Sequence, residues 1–239
     1  MIVCPVCQTM NHHLSVTCSS CGGFIQNKIE NIDLFETIWK IIESPRQAFR
    51  TILLAKHKNY TIFLSGFAGI GFLFTLFWLF HIGEVTNQLF YIIVAGILFG
   101  PPIGIFIATV FSLILAIVLR SYRVSFSFKN AFAIVSYSLI PIVFTVILVL
   151  PIELLTFGRF TFTASPTPLT LKPLSAVLLF ALDTVCTLWS FTLAIIGIKI
   201  LGDIGWSKAT VILLISIILF GLLMYLCMIP FTQSQGVMV

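Results

Sequence analysis

Residues 173–201, PLSAVLLFALDTVCTLWSFTLAIIGIKIL, form an apolar stretch that carries one acid, Asp183, about a third of the way along. A transmembrane helix needs about 20 apolar residues, so this stretch is long enough to cross a bilayer. A carboxylate near the centre of such a helix costs about 2.5–3.5 kcal/mol on insertion scales. We therefore expect Asp183 to face a helix bundle, water or a partner rather than lipid.

The composition of the chain excludes a soluble globular protein. Of its 239 residues, 59% are hydrophobic and only 9% are charged, and the mean hydropathy is +1.13, whereas ordinary domains are about a quarter charged. Four other stretches are apolar and long enough to cross a bilayer: 62–82, 89–119, 131–150 and 209–230. The sequence predicts an all-α polytopic membrane protein with five transmembrane helices over residues 61–232 and a short external tail over 233–239.

Prolines interrupt two of the predicted spans. Pro101 and Pro102 lie in the middle of the second, which forms either one kinked helix or two half-helices, a device of transporters. Pro141 lies inside the third span and predicts a kink there. Beyond that span, residues 153–173 are expected to form a short hairpin or an ordered loop.

The positive charges predict the orientation. Eleven of the 13 Lys and Arg residues precede the first span or lie beside the connections between spans two and three and between spans four and five; Arg159 and Lys172 are the exceptions. Cytoplasmic loops carry an excess of Lys and Arg. We therefore expect a multi-pass protein of the cell membrane with its N-terminus in the cytoplasm and its C-terminus outside.

Two cysteine pairs lie in residues 4–23, CPVCQTMNHHLSVTCSSCGG. Cys4, Cys7, Cys18 and Cys21 have the spacing C-x2-C-x10-C-x2-C, in which each pair makes a tight turn and the four thiolates complete a tetrahedral site. The segment is too short to bury a core, so a metal would supply its folding energy. We predict a zinc ribbon over residues 1–27 with one structural zinc ion. Disulfides would need an oxidising compartment, and a rubredoxin-like iron site would use the same ligands.

The residues around these cysteines allow fewer structural predictions. Gly22 and Gly23 follow the second pair, where a turn with positive φ is expected. His12 and His13 are expected to be exposed loop residues rather than ligands. Functionally, the ribbon is either a docking module for a protein or a cap that only stabilises the N-terminus. No basic patch accompanies it in the sequence, so no nucleic-acid partner is expected.

Residues 28–60 resemble a basic amphipathic connector at the membrane surface. Phe35, Ile38, Trp39 and Ile42 form one apolar stripe of a first helix. A second helix has an apolar side made by Phe49, Ile52 and Leu53, beside four cations: Arg46, Arg50, Lys56 and Lys58. This composition is typical of a helix lying on an anionic leaflet. The alternative is a soluble helix packed under the ribbon.

Four intramembrane residues are functional candidates: Asp183, Tyr137, Pro141 and Trp189. In a functional role, Asp183 would relay a proton or cation, or would contact a partner helix. In a structural role, it would form a hydrogen bond with a neighbouring hydroxyl such as that of Thr184, Thr187 or Tyr137. No His or second acid shares a membrane helix with Asp183, and no nucleophile–base pair or phosphate loop is recognisable. We therefore do not expect an enzyme.

Several short motifs, in this order, resemble the Yip1-domain family of five-span membrane proteins. They are Ser44-Pro45-Arg46 with Phe49, Ser127-Phe128-Lys129, Tyr137 to Pro141, Leu182-Asp183, Leu188-Trp189-Ser190, Ile196-Gly197, and Trp206 to Ala209. The resemblance covers residues 33–230, and the ribbon in front is similar to the zinc-ribbon extension of prokaryotic members.

The resemblance implies a membrane accessory or scaffolding protein. Eukaryotic members are associated with Rab-type GTPases and have no established catalytic chemistry; the GTPase role is not carried over to a chain with a prokaryotic-type ribbon. We predict a non-enzymatic scaffold whose ribbon and connector dock a partner and whose five-helix bundle binds a membrane protein, for example of an export or transport complex. The alternative is a small transporter or lipid-handling protein that uses Asp183 and the proline-kinked helices as a path. Gly66, Gly69 and Gly71 permit close helix packing, within the chain or in a homo-oligomer.

Overall fold

The computed structural model describes residues 1–27, 29–86, 88–124 and 126–235, with side chains as far as residue 226. Five of the helical segments in these residues are long and apolar enough to cross a membrane. The chain is therefore an all-α polytopic membrane protein, as the composition predicts. A small N-terminal head and two short helices precede the first span.

The head consists of two short hairpins, each with a cysteine pair at its tip. Strand β1 (Ile2–Val3) pairs antiparallel with β2 (Met10–Asn11), and an isolated antiparallel bridge joins Thr17 to Phe24. The chain then enters helix α1 (Leu34–Glu43). The following helix, α2 (Pro45–Leu54), leads to the membrane domain.

The first two spans are straightforward helices. The first is α3 (Thr61–Leu79), which is followed by the short helix α4 (Ile82–Val85). The second is α5 (Leu89–Ser121), and both Pro101 and Pro102 lie inside it. The second span is therefore one helix, and the alternative of two half-helices is wrong.

The third span is longer than predicted and covers Phe128–Phe162. It consists of α6 (Phe128–Ser138), α7 (Ile140–Phe144), a π-helical turn (Thr145–Val149), α8 (Leu150–Phe157) and a 3₁₀ turn (Gly158–Phe162). The predicted end at residue 150 and the short hairpin after it are wrong. The helix continues because Pro151 occupies the first turn of α8, where a missing N–H is tolerated.

The last two spans follow a short far-side helix. Helix α9 (Pro168–Leu171) precedes α10 (Pro173–Gly202), the fourth span, and α11 (Trp206–Gln235) is the fifth. The external tail predicted over 233–239 overlaps the end of α11, and its last four residues lie outside the described part of the chain.

The connections fall on two sides of the bundle. On one side, which we call the head side, the Met1 amino group lies 3.7 Å from the Asp203 carboxylate, in the connection between α10 and α11. On the far side, the backbone N–H of Ala164 donates to the Glu84 carboxylate at 2.9 Å and joins the connection after the first span to the one after the third. A chain that crosses the membrane five times has successive connections on alternating sides, which is the arrangement of these connections.

The apolar side of α2 is buried in protein. Phe49 and Ile52 are fully buried and Leu53 nearly so, because α2 packs against α10 and α6. Gly197 on α10 lets Phe49 and Ile134 approach closely; a Cβ there would lie 2.7 Å from the Ile134 Cγ2 atom. The second connector helix thus does not offer its apolar side to lipid, contrary to the prediction.

The first two spans are in very close contact through glycines. Gly69 on α3 lies directly against Gly100 and Gly104 on α5, and a Cβ at Gly104 would overlap the backbone of Ser65 and Gly69. The three α5 positions Gly96, Gly100 and Gly104 repeat every four residues and form one buried face. Small residues at this spacing allow membrane helices to pack backbone against backbone.

We predict that Gly104→Ala destabilises the membrane domain, because its methyl group overlaps the backbone of α3. Overpacking of this kind costs roughly 1–3 kcal/mol. Gly221→Ala is the matched control, since a Cβ at Gly221 on α11 meets no atom within 4 Å. The measurement is thermal unfolding in detergent, with a lower midpoint for Gly104→Ala and an unchanged one for Gly221→Ala. Equal midpoints would contradict the packing argument.

Candidate functional site

The four head cysteines converge on one point. The Cys4 and Cys21 sulfurs are 3.7 Å apart, the Cys7 and Cys18 sulfurs are 3.5 Å apart, and all four lie within 4.8 Å of one another. A tetrahedral zinc site with bonds of about 2.3 Å has S···S edges of about 3.8 Å. The residues present therefore fit a four-thiolate metal site, and the four thiols are free rather than paired in disulfides.

The two cysteine pairs have the same backbone construction. The N–H of Gln8 donates to the Cys4 carbonyl at 3.0 Å, and the N–H of Gly22 donates to the Cys18 carbonyl at 3.1 Å. Both donors have positive φ, +57° for Gln8 and +69° for Gly22. The turn expected at Gly22 is thus present, and the equivalent turn at Gln8 forms on a residue type that gives no such signal in the sequence.

Hydrogen-bond donors surround the sulfur of Cys18. The backbone N–H groups of Cys21 and Ser20 point at this sulfur and hold the pKa of the Cys18 thiol down to about 6. The Asn11 amide donates to the same sulfur at 3.5 Å, and its oxygen accepts from the Ser19 N–H at 2.9 Å. Such contacts stabilise thiolates, the form that binds metal. The sequence argument misses Asn11, because no local sequence pattern identifies an amide that donates a hydrogen bond to a cysteine sulfur.

The head rests on the head side of the bundle. His13 Nδ1 lies 3.9 Å from the Asp203 carboxylate, and Arg50 donates to Gln26 at 3.3 Å. Gln26 in turn donates to the carbonyls of His13 and Ser15 at 2.8 and 3.0 Å. Burial lowers the pKa of His13, so His13 is neutral near pH 7. His13 is therefore a contact residue between the head and the bundle rather than an exposed loop residue.

His12, His13 and Asp203 form a second group of ligand atoms, also within 4.8 Å of one another. The Met1 amino group already contacts the Asp203 carboxylate, so this carboxylate has a cationic partner without a metal. Asp203 ends α10 with a positive φ of +49°, a conformation that Asp tolerates better than most residues. That turn directs its side chain to the head.

The four connector cations have different environments. The Arg46 guanidinium lies 5.3 Å above the Trp206 ring, which Lys199 also approaches at 4.6 Å. Lys58 donates to three carbonyls at the end of α2, the shortest contact being 2.7 Å to Ile52. Arg50 contacts Gln26 as described, and Lys56 is exposed. Three of the four cations thus stabilise the junction between connector, head and bundle.

A cavity of about 850 Å³ lies between the five spans. Most of its lining is apolar, but Glu153 of α8 and Asp183 of α10 both face it. The hydroxyl of Thr145, which lines the same cavity, donates to the carbonyl of Ile142 at 3.0 Å. Asp183 thus faces a bundle interior, as expected for an acid in a membrane helix.

Glu153 is a cavity-lining acid that the sequence argument misses. It is buried, with 8% of its surface exposed, whereas a third span that ends at residue 150 assigns it to an outer loop. Residues 152–157, IELLTF, repeat the pattern of an apolar helix with one acid. That pattern is the signal that could have placed Glu153 in the membrane.

The π-helical turn precedes this acid. A π turn adds one residue to the helical repeat, which rotates the helix beyond it by about 100°. Thr145 begins the turn and Val149 ends it, and both Thr145 and Glu153 face the cavity. The irregular turn therefore helps to bring the hydroxyl and the carboxyl group to the same side.

The other three intramembrane candidates do not line the cavity. Tyr137 is fully buried, and its hydroxyl has no hydrogen-bond partner among the described residues. Pro141 is buried in α7, while Trp189 is 39% exposed on α10. Thr184, one of the hydroxyls suggested for Asp183, donates instead to the carbonyl of Phe180 at 2.8 Å.

Comparison with known proteins gives one match. A family model described as the Yip1 domain matches residues 39–228, which is most of the chain and the whole series of spans up to the fifth. No curated protein and no solved structure matches the chain at a significant level.

We predict that Cys4→Ser loses one metal ion per chain, because three thiolates with a hydroxyl bind zinc far more weakly than four thiolates. The spans should still insert. Metal content of the purified protein by mass spectrometry of the elements gives the answer, with Cys186→Ser in α10 as the control. Equal metal content in Cys4→Ser and the parent protein would refute the four-thiolate site.

Proposed function

This chain belongs to the Yip1-domain family, and from that premise we propose that it is a non-enzymatic accessory protein of the cell membrane that binds a membrane-protein partner through its N-terminal head. In this proposal residues 1–27 form a zinc ribbon, residues 28–60 form a connector at the membrane surface, and residues 61–232 form the five-helix membrane domain. The observation that supports it best is the exposed apolar surface of the head.

Besides Met1, four large apolar side chains of the head are exposed, and we call these four the docking face: Val3, Val6, Met10 and Phe24. Their exposed fractions are 52%, 72%, 59% and 57%. Val3 and Met10 are opposite each other in the β1–β2 pair, so their side chains share one side. Exposed apolar surface that is grouped in this way is typical of a protein-binding site.

The contacts that hold the head on the bundle also favour docking. The contact between the Met1 amino group and the Asp203 carboxylate and the Arg50–Gln26 hydrogen bond connect the head to the bundle. A partner that binds the docking face is thereby oriented relative to the spans without a further ordering cost. A flexible tether would not provide this orientation.

The proposed orientation places the head in the cytoplasm. Eleven of the 13 Lys and Arg residues belong to the head side, which supports this assignment by the positive-inside rule. The reducing cytoplasm keeps the four cysteines as thiols, ready to hold the structural zinc ion. The C-terminus is then outside.

The first connector helix fits the membrane surface. Phe35, Trp39 and Ile42 on α1 are 81%, 67% and 55% exposed, and aromatic residues with an apolar side favour the bilayer interface. We propose that this stripe lies in the head-side leaflet. Lys56, which is exposed just after α2, would then face anionic lipid headgroups.

A second candidate function is transport or lipid handling through the cavity. The observation that favours it is that Glu153 and Asp183 line one cavity, since two intramembrane acids in one cavity are typical of proton and cation pathways. The scaffold proposal does not need this pair. The two functions therefore make different predictions for variants of the head and of the cavity.

For the scaffold, we predict that Val6→Asp combined with Phe24→Asp abolishes partner binding, because two charges enter the docking face. The tagged protein is purified from native membranes in mild detergent, and bound proteins are identified by mass spectrometry. Recovery of a stoichiometric membrane partner should fall at least about tenfold.

The matched control is Asn27→Asp, which adds a charge to an exposed position of the head outside the docking face. It should retain the partner, and all variants should keep their metal content. A partner recovered equally with the double variant would show that the docking face is not the binding surface.

For the second candidate, we predict that Asp183→Asn abolishes proton flux into liposomes loaded with a pH-sensitive dye, while the protein remains folded. The amide has the shape of the carboxyl group but cannot exchange a proton. Cys186→Ser, one turn away on α10, should retain the flux. If Asp183→Asn transported protons at the parental rate, the relay function of Asp183 would be excluded.

A further inference from the structure

A crevice of about 350 Å³ lies where the head meets the connection between α10 and α11. His13 forms its wall on the head, and Lys199, Asp203 and Trp206 belong to its wall on the bundle. Helix α10 ends at Gly202 and α11 begins at Trp206, so the crevice lies at the ends of two membrane spans. It is therefore at the level of the lipid headgroups on the head side.

Two cations share the Trp206 ring at this crevice. Lys199 Nζ lies 4.6 Å from the ring centre, and the guanidinium carbon of Arg46 lies 5.3 Å from it. The two charges are therefore at most about 10 Å apart, the screening length at 0.1 M salt, and they repel each other. Neither cation forms an ion pair with a carboxylate of the described residues. The ring attracts both cations, but it has no net charge that would compensate them.

The nearby acids do not neutralise these two cations. Asp203 is the only acid among the described residues that line the crevice, and its carboxylate already contacts the Met1 amino group at 3.7 Å. Glu43 lies three residues before Arg46, but it is exposed and is not paired with Arg46 in the described structure. The positive end of the α11 dipole adds to the field, because that helix begins in the lining. The crevice therefore has an excess of positive charge and is complementary to an anion.

Trp206 adds an apolar surface to this charged site. It is 43% exposed, although it begins a membrane-spanning helix. Tryptophan is enriched at the membrane interface, where its ring lies at the depth of the headgroups. The exposed ring surface beside two cations thus matches a ligand that combines an anionic group with apolar atoms.

We propose that this crevice binds the phosphate ester of an anionic lipid headgroup from the head-side leaflet. Lys199 and Arg46 supply the compensating charges, since Lys and Arg form strong charge-assisted hydrogen bonds to phosphate oxygens. The glycerol part of the headgroup packs against the exposed ring of Trp206. Because His13 of the head also lines the crevice, the bound lipid contacts both the head and the bundle. The position of the head is thereby coupled to the lipid composition of the leaflet.

The position and the size of the crevice favour a lipid over a free phosphate ion. A site at the ends of two spans adjoins the headgroup layer, where anionic lipids attract cationic side chains. Its volume of about 350 Å³ is in the range of small-molecule sites, about 300–1,000 Å³, and exceeds what a single phosphate ion fills. A free ion would also leave the Trp206 ring in water. The site uses neither the docking face nor the cavity, so it is independent of both candidate functions.

The test measures lipid binding to the full chain in detergent by native mass spectrometry. Phosphatidylglycerol, whose phosphate carries an uncompensated negative charge, should bind at least about tenfold more tightly than phosphatidylcholine or diacylglycerol with the same chains. This comparison uses the parent protein and needs no variant. Equal affinities for the three lipids would overturn the proposal.

Soluble competitors distinguish a lipid from a free phosphate compound. Inorganic phosphate and glycerol phosphate, each in large excess over phosphatidylglycerol, should leave the bound lipid in place, because they lack the apolar atoms that contact Trp206. Displacement of the lipid by either compound would identify a site for free phosphate compounds and would reject the lipid assignment.

Two double variants separate the crevice from the general positive charge of the head side. Arg46→Gln combined with Lys199→Gln should remove the preference for phosphatidylglycerol over phosphatidylcholine. Arg120→Gln combined with Lys129→Gln is the matched control, because it removes the same charge at two exposed head-side residues outside the crevice, and it should retain the preference. A preference that survives in the first variant, or is lost in both, would contradict the site.

A phosphatidylglycerol analogue with a photoreactive headgroup locates the site on the parent protein. Cross-linked peptides, identified by mass spectrometry, should contain residues 199–206 at the connection between α10 and α11. Cross-links confined to other head-side segments would overturn the assignment, whether or not the variants fold.

Discussion

The glycine contact between α3 and α5 is the constraint on which the membrane domain depends. Gly69, Gly100 and Gly104 bring the two backbones together, and van der Waals packing at that distance substitutes for the hydrophobic effect, which is weak between helices in lipid. The buried hydrogen bond between the hydroxyls of Ser65 and Ser136, at 2.9 Å, then joins the third span to this pair. Gly69 and Gly104 also line the cavity, so the close contact forms part of its wall.

Different kinds of interaction stabilise the two ends of the domain. On the head side, polar contacts in water join the head to the bundle: the Asp203 carboxylate, the Arg50–Gln26 hydrogen bond and the cations around Trp206. On the far side, Phe74, Phe77 and Phe162 pack into an aromatic cluster, with Phe74 and Phe162 stacked 5.7 Å apart. Polar contacts thus organise the head side of the domain, and apolar packing organises the far side.

The predictions from sequence are accurate where a local pattern carries the information. Apolar length identifies the five spans, and the spacing of Cys4, Cys7, Cys18 and Cys21 identifies a cluster that the fold brings within 4.8 Å. The boundary at Pro151 fails because a proline ends a helix in some contexts and begins one in others. That single boundary places Glu153 outside the predicted spans, so the sequence predicts one acid where the cavity has two.

By itself, the sequence determined the class of protein, the number of spans and the cysteine cluster, because hydropathy and ligand spacing are properties of consecutive residues. Only the tertiary structure decided which groups come together: Glu153 and Asp183, 30 positions apart, line one cavity, and His13 lies 3.9 Å from Asp203, 190 positions away. It also placed the apolar side of α2 against α10 rather than lipid. A buried apolar face and a lipid-facing one have the same composition, so only packing against neighbouring helices distinguishes them.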